Sequence, residues 1–180
     1  MTNQSDLVLI KRCLDGEVNA FAGLIDRYQK PVYNAAFRML SDARNAEDVT
    51  QTVFIKAFEN LDRYDANYKF FSWVYKMTIN ESINFLKREN RFAGLDLNTL
   101  SNQNASEDAF HQFETKEQID LALLVLEPSH RAIVVLKHFH GLSYKEIGYI
   151  MDSPEKTIKS RLYESRQQMR KVFFKQGYVQ

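Results

Sequence analysis

Cysteine occurs once in the 180 residues, proline three times, glycine six times and tryptophan once. A single thiol, Cys13, excludes an internal disulfide and a cysteine-ligated zinc ribbon. Its expected role is that of a small core residue. So few prolines and glycines leave little punctuation for tight turns, and no stretch alternates apolar and polar residues between turn signals as strands do. No run approaches the ~20 apolar residues that span a bilayer. The opening MTNQSDLVLIKR has no signal-peptide layout, so the expected location is the cytoplasm, without membrane insertion. A Gly-rich phosphate loop, an H-E-x-x-H helix and a nucleophile elbow are all missing, and no enzyme activity or cofactor is expected. His138 and His140 flank Phe139, but i and i+2 side chains on a helix face different ways and cannot jointly hold a metal. The adjacent Glu47 and Asp48 diverge for the same reason and make no acid–base pair.

Net charge is nearly absent as well, at +1, but the average hides a division along the chain. Residues 1–91 carry 13 Lys/Arg against 12 Asp/Glu, residues 92–120 one Lys against six acids, and residues 121–180 ten Lys/Arg against five acids. The last third therefore has the electrostatic footprint of a polyanion binder. Helical periodicity runs through nearly every segment. It predicts helices near 5–14, 17–40, 45–62 and 71–90, then 115–126, 128–140, 143–151 and 154–173. The stretch from Phe92 to Glu114 has no periodicity and is rich in Asn, Ser, Asp and Gln, as a flexible acidic linker would be. The expected fold is all-α: two small helical domains at 1–91 and 115–180, joined by a linker at 92–114. Asn45 with Asp48 is the expected cap of the third helix, whose Val49, Val53, Ala57 and Leu61 face inward. Pro128 and Pro154 fit first-turn positions, and Gly141 fits a C-terminal cap.

The C-terminal domain contains a predicted helix-turn-helix. Ser143 and Glu146 form a capping box that opens its first helix, and Ile147, Ile150 and Met151 face inward. Gly148 permits close helix approach. Asp152-Ser153 makes a short connection, with Ser153 capping a second helix buried through Ile158, Leu162, Ser165 and Met169. Lys159, Tyr163, Arg166 and Arg170 fall on one cationic stripe of that helix. Lys156, Thr157 and Ser160 stand near its N-terminus, the end that a recognition helix inserts into the major groove. Hydroxyl and cationic groups there reach base edges, and the stripe meets phosphates. The competing reading is an ordinary solvated face on a helical hairpin.

The segment LSYKEIGYIMDSPEKTIKSRLYESRQQMRK resembles region 4 of bacterial sigma factors, above all those of the extracytoplasmic-function (ECF) group. Thr157, Ile158, Lys159, Ser160, Arg161, Leu162 and Arg166 fit the family pattern T-V-K-S-R-L-x-R-A-R. Lys156 stands where the family usually has Gly, and Glu164 where it often has Arg. A carboxylate facing phosphates is unfavourable, so Glu164 points away, pairs with Arg161 or alters promoter preference.

The N-terminal half supplies a second resemblance. Ala46, Glu47, Asp48, Gln51, Phe54 and Phe58, followed by Phe71, Ser72, Trp73, Tyr75 and Asn80, resemble sigma region 2 in the same chain order. On the helix from Phe71 to Arg88, Phe71, Val74, Tyr75, Thr78, Ser82 and Phe85 make the expected buried face. Trp73, Lys76, Asn80, Asn84 and Lys87 make the opposite one, with Tyr64, Tyr68 and Lys69 in the loop before it. An aromatic ring, amides and lysines on one face suit single-stranded DNA. For Phe70, Phe71 and Tyr75 a core role is the better reading; Trp73 fits either. Glu47, Asp48, Gln51, Thr52, Ile55 and Glu59 lie off the apolar stripe of the third helix, as either a solvated or a binding face.

The resemblance implies a factor that binds core RNA polymerase and directs it to particular promoters. Region 2 would trap a base flipped from the minus-ten element and hold the polymerase β′ clamp helices through Glu47, Asp48, Gln51, Thr52 and Ile55. Region 4 would read the minus-thirty-five element through Lys156, Thr157, Lys159, Ser160, Arg161, Tyr163, Arg166 and Arg170 and contact the β flap. An anti-sigma protein is a further implied partner. The alternative is a stand-alone helix-turn-helix regulator whose N-terminal half senses a ligand or dimerises.

Overall fold

The computed structural model describes residues 3–92 and 115–175. Every regular element among them is helical: α1 (Asn3–Leu14), α2 (Ala20–Leu40), α3 (Ala43–Glu59), α4 (Phe70–Phe92), α5 (Thr115–Leu124), α6 (Pro128–Val134), α7 (Tyr144–Ile150) and α8 (Glu155–Lys175). A 3-10 turn covers Leu61–Arg63, and a π-helical turn covers Val135–Phe139. The all-α expectation is met. Contacts group Met1–Ser82 and Ile83–Gln180 into two units. That division lies within α4, whereas the boundary expected from composition lies after Arg91. Apart from Phe92, the expected linker falls outside the described residues.

In the first unit α2 packs chiefly on α3 and on α1. The stripe Val49, Val53, Ala57 and Leu61 is buried as its spacing requires, against Leu24, Val32 and Met39 of the same core. The cap of α3 differs from expectation. Asp42, not Asn45 with Asp48, accepts the Asn45 N–H at 2.7 Å. The reason is the length of the connection: Ser41 ends α2 in the left-handed region (φ 54). Asp42 is then the only residue left in the extended geometry that a cap needs. A network that periodicity could not reveal ties α1 to α2. The buried Asp6 carboxylate accepts from the Tyr28 hydroxyl at 2.6 Å and pairs with Arg27, whose guanidinium also reaches the Ser5 hydroxyl at 2.8 Å. Burial, then the hydrogen bond to Asp6, pushes the Tyr28 phenol well above its ordinary range.

The inward face of α4 is rotated slightly from the expected one. Val74, Tyr75, Thr78 and Ser82 are buried, but Phe71 and Phe85 are only half-buried. Phe70 is fully buried, as its expected core role requires, and Ile79, which was not expected on this face, is fully buried as well.

The second unit starts its α6 at Pro128, with Glu127 accepting the Ser129 N–H at 3.1 Å. One continuous helix was expected over 128–140; α geometry instead gives way to the π turn after Val134. Gly141 (φ +67) reverses the chain there, and the Leu142 N–H closes the end on the Leu136 carbonyl at 3.1 Å. The buried Arg131 donates to the carbonyls of Leu123, Leu124 and Leu126 at 3.0–3.2 Å. It thereby satisfies acceptors left over at the end of α5, and burial lowers its pKa. Ile133, Leu136, Ile147, Ile150, Ile158 and Leu162 form the fully buried core against which α7 and α8 pack. Truncating any one of them to Ala would cost about 2–5 kcal/mol.

Candidate nucleic-acid interfaces

The helix-turn-helix is built as its sequence implied at the first helix and differently at the second. Ser143 Oγ accepts the Glu146 N–H at 3.2 Å, and the Glu146 carboxylate accepts the Ser143 N–H at 2.9 Å, a complete capping box. The turn then tightens through Asp152 in the left-handed region (φ 47), and the Ser153 N–H donates to the Gly148 carbonyl at 2.9 Å. A Cβ at position 148 would stand 2.7 Å from the Ser153 carbonyl oxygen, so Gly148 permits this closure. Ser153 was expected to cap α8. Its hydroxyl instead donates back to the Met151 carbonyl at 3.1 Å, across the turn that Asp152 makes in the left-handed region.

Ile158, Leu162 and Ser165 are buried, and Met169 is half-buried. The opposite side presents Lys156, Lys159, Ser160, Tyr163, Arg166 and Arg170 as exposed residues, while Thr157 and Arg161 are half-buried. Neighbouring elements hold several of these groups. Lys159 Nζ lies 5.2 Å from the centre of the Tyr144 ring, which carries Lys137 Nζ at 4.6 Å as a second cation. The Arg166 guanidinium meets Nε2 of His138 at 3.1–3.3 Å. Burial, followed by the charges of Arg166 and Lys137, lowers the His138 pKa. Nε2 accepts from the Arg166 Nε–H. Glu164 does not pair with Arg161: its carboxylate takes the Ser160 hydroxyl at 3.2 Å and faces His130 Nε2 at 3.4 Å.

The first unit gathers aromatic groups at the start of α4. Trp73 is half-buried, its ring 5.5 Å from Tyr64 and 5.8 Å from Phe70. Phe70 in turn touches Tyr28 at 5.6 Å, so one side of the cluster is core and the other is open. The Tyr64 hydroxyl donates to the Tyr68 carbonyl at 2.5 Å, and Asp65 accepts the Asn67 N–H, which shapes the preceding loop. Tyr68 and Lys69 are exposed on that loop, with Lys69 Nζ 5.8 Å from the Phe71 ring. Lys76 is half-buried and Asn80 exposed, one and two turns beyond Trp73. Further along α4, Asn84 and Lys87 are exposed.

On α3, Glu47, Asp48, Gln51, Ile55 and Glu59 are exposed and Thr52 is half-buried, its hydroxyl on the Asp48 carbonyl at 2.8 Å. Ile55 is 58% exposed and Phe58 41%, so this face is apolar as well as acidic. Phe58 was not singled out from sequence as part of this face; its i+3 spacing from Ile55 was the available signal. Sequence reasoning also missed a groove of about 440 Å³ in the second unit, lined by Ile119, Val134, His138, Phe139, Arg166, Met169 and Arg170. Among the described residues no three of His, Cys, Asp and Glu gather as a metal site, and no helix is long and apolar enough to cross a membrane.

Comparison with known proteins matches a family model within each half of the chain. Residues 24–92 match the Sigma-70 region 2 model, and residues 116–169 match Sigma-70, region 4. The chain is 33% identical over 174 residues to the ECF RNA polymerase sigma factor SigW of Bacillus subtilis, covering 90% of this chain and 93% of that protein. It is 30% identical over 178 residues to the ECF RNA polymerase sigma-E factor of Escherichia coli K12, with 91% of each covered. Among solved structures it is similar to the sigma factor RpoE of Bartonella quintana in complex with the anti-sigma factor NepR. The TM-score there is 0.69 at 20% identity, covering 86% of this chain and 97% of that one. CnrH in complex with the cytosolic domain of CnrY gives a TM-score of 0.70 at 20% identity, covering 94% of this chain and 97% of that one.

Proposed function

Since the chain belongs to the extracytoplasmic-function group of RNA polymerase sigma factors, and so directs RNA polymerase to promoters, we propose how its surfaces divide that work. The ordered pair of region 2 and region 4 matches in one chain carries the reading. A stand-alone regulator has no need of the first.

Residues 1–91 act as region 2, residues 92–114 as the linker and residues 115–180 as region 4. At the minus-ten element, Tyr64, Tyr68 and Trp73 offer ring faces to unstacked bases, Asn80 and Asn84 bond base edges, and Lys69, Lys76 and Lys87 follow the backbone. Flipping a base costs a few kcal/mol of unstacking, which stacking and hydrogen bonding in this pocket must recover. The half-covered ring of Trp73 supports this, since Tyr64 and Phe70 fix it without closing it off. At the minus-thirty-five element, α8 enters the major groove. Lys156, Thr157, Ser160 and Arg161 approach the bases, and Lys159, Tyr163, Arg166 and Arg170 lie against the backbone.

Core polymerase is held at two places. The acidic and apolar face of α3, through Glu47, Asp48, Gln51, Thr52 and Ile55, suits the β′ clamp helices. The groove lined by Ile119, Val134, Phe139 and Met169 suits the apolar face of a short amphipathic helix, and we assign it to the β flap. An anti-sigma protein would hold the factor inactive by covering these faces; the complex of the sigma factor RpoE with the anti-sigma factor NepR supports such a partner. The chain itself does no chemistry, needs no cofactor and works in the cytoplasm beside the polymerase.

Run-off transcription with purified core polymerase tests the proposal. Initiation from a particular set of promoters only when both proteins are present is the expected result. Tight binding to a duplex without polymerase, together with no initiation, would instead establish the stand-alone regulator.

A further inference from the structure

Glu164 is an anion on the DNA-facing helix, in a stretch (121–180) that carries ten Lys/Arg against five Asp/Glu. Its side chain is 56% exposed. It lies one turn beyond Ser160, about 40° around the helix from it, on the side away from the buried Ile158, Leu162 and Ser165. The carboxylate is also held. Ser160 Oγ donates to Oε1 at 3.2 Å, and His130 Nε2 stands 3.4 Å from Oε2. The other ring nitrogen of His130 is 3.2 Å from the Glu127 carboxylate, which is itself anchored by the Ser129 N–H at the start of α6. Glu127, His130, Glu164 and Ser160 thus form one chain of polar contacts running from the cap of α6 onto the outward face of α8.

A fixed carboxylate in a phosphate-lined groove is repelled unless it meets a hydrogen-bond donor. Two base edges in the major groove carry an amino donor. Adenine pairs its N6 donor with the N7 acceptor, which opposes the second carboxylate oxygen; cytosine N4 has no such acceptor on its own edge. A carboxylate has about four acceptor sites; Ser160 occupies one, and His130 a second when Nε2 carries a proton, so capacity remains for a base. We propose that Glu164 is a specificity-determining residue that accepts from cytosine N4 at one position of the minus-thirty-five element, with His130 as the positioning residue that aims it. This rests on the assignment of α8 to that element.

The test uses the full chain with core polymerase and a promoter library randomised across the minus-thirty-five element, sequenced after transcription. The wild type should favour cytosine at one position on the order of tenfold over the other bases. Glu164→Ala should flatten that position and leave the others unchanged. Glu164→Gln, which adds a donor at the same place, should admit bases with acceptors there. His130→Ala should weaken the same preference, and His130→Gln, whose amide can donate to Glu164, should restore it in part. Both side chains lie at the surface or its edge, and circular dichroism checks that the variants fold. Identical base preferences in the wild type and in both Glu164 variants would overturn the proposal while leaving the function intact. Loss of preference at every position would reduce Glu164 to a structural role and overturn it as well. Failure of the wild type to initiate at any promoter would overturn both.

Discussion

Replacing Lys159, Arg166 and Arg170 together by Ala removes the cationic stripe of α8 and leaves its buried face intact. With a rise of 1.5 Å per residue, the three lie about 10 Å and 6 Å apart along the axis, far enough to engage separate phosphates. Each phosphate contact contributes about −0.9 to the slope of log K against log salt on B-DNA, so the triple substitution should make the slope shallower by about 2.7. Between 50 and 200 mM salt each contact accounts for roughly a 3.5-fold loss of affinity, and the three for roughly 40-fold. The expected outcome is a variant that binds more weakly at low salt, responds less to added salt and keeps its ranking of promoter sequences. Fluorescence anisotropy of the polymerase complex on a labelled duplex carrying the minus-thirty-five element measures the slope. A parallel series with Lys145→Ala, an exposed cation of α7, supplies the comparison. An unchanged slope would refute the placement of this stripe against the DNA backbone. A changed ranking of sequences would show that these side chains read bases instead.

Other substitutions separate the remaining parts. Asn80→Ala should slow promoter opening, followed by permanganate reactivity of unpaired thymines, by about tenfold or more while duplex affinity changes less than twofold. His138 has a lowered pKa in the fold, so the unfolded chain binds more protons just below the ordinary histidine range. Stability should therefore be full above about pH 6.5 and decline as the pH falls through the window below it. Urea unfolding across pH 5–8 should show that decline in the wild type and a flatter profile in His138→Gln. Ser143→Ala removes the capping box and should destabilise the second unit by about 1 kcal/mol, measured as a lower urea midpoint.

What the sequence made legible was local. Ser143 and Glu146 close a box within four residues, and the stripe on α8 follows from helical spacing, so neither needs the rest of the fold. The cap of α3 was misplaced because SDARNAED offers several capping residues, and only the left-handed Ser41 decides that Asp42 is used. Ser153 was assigned to α8 for a similar reason: its hydroxyl had two possible directions, and across the left-handed Asp152 it takes the one back to the Met151 carbonyl. The inward face of α4 was nearly right, but it is rotated towards Phe70 and Ile79, and Ile79 was missed. The contacts that hold the fold and shape the candidate site on α8 join distant positions: Asp6 with Arg27 and Tyr28 in the first unit, Arg166 with His138 and Glu164 with His130 in the second. Each depends on how helices cross, which periodicity does not contain.

The π turn after Val134 decides which way His138 faces. Its hydrogen bonds span five residues where those of an α-helix span four, so each of its side chains advances around the axis by less than the roughly 100° of α spacing. His138 falls within that turn and meets Arg166 of α8. α spacing continued through these five positions would rotate the ring away from that guanidinium, so the contact is a property of the backbone before it is one of the side chains.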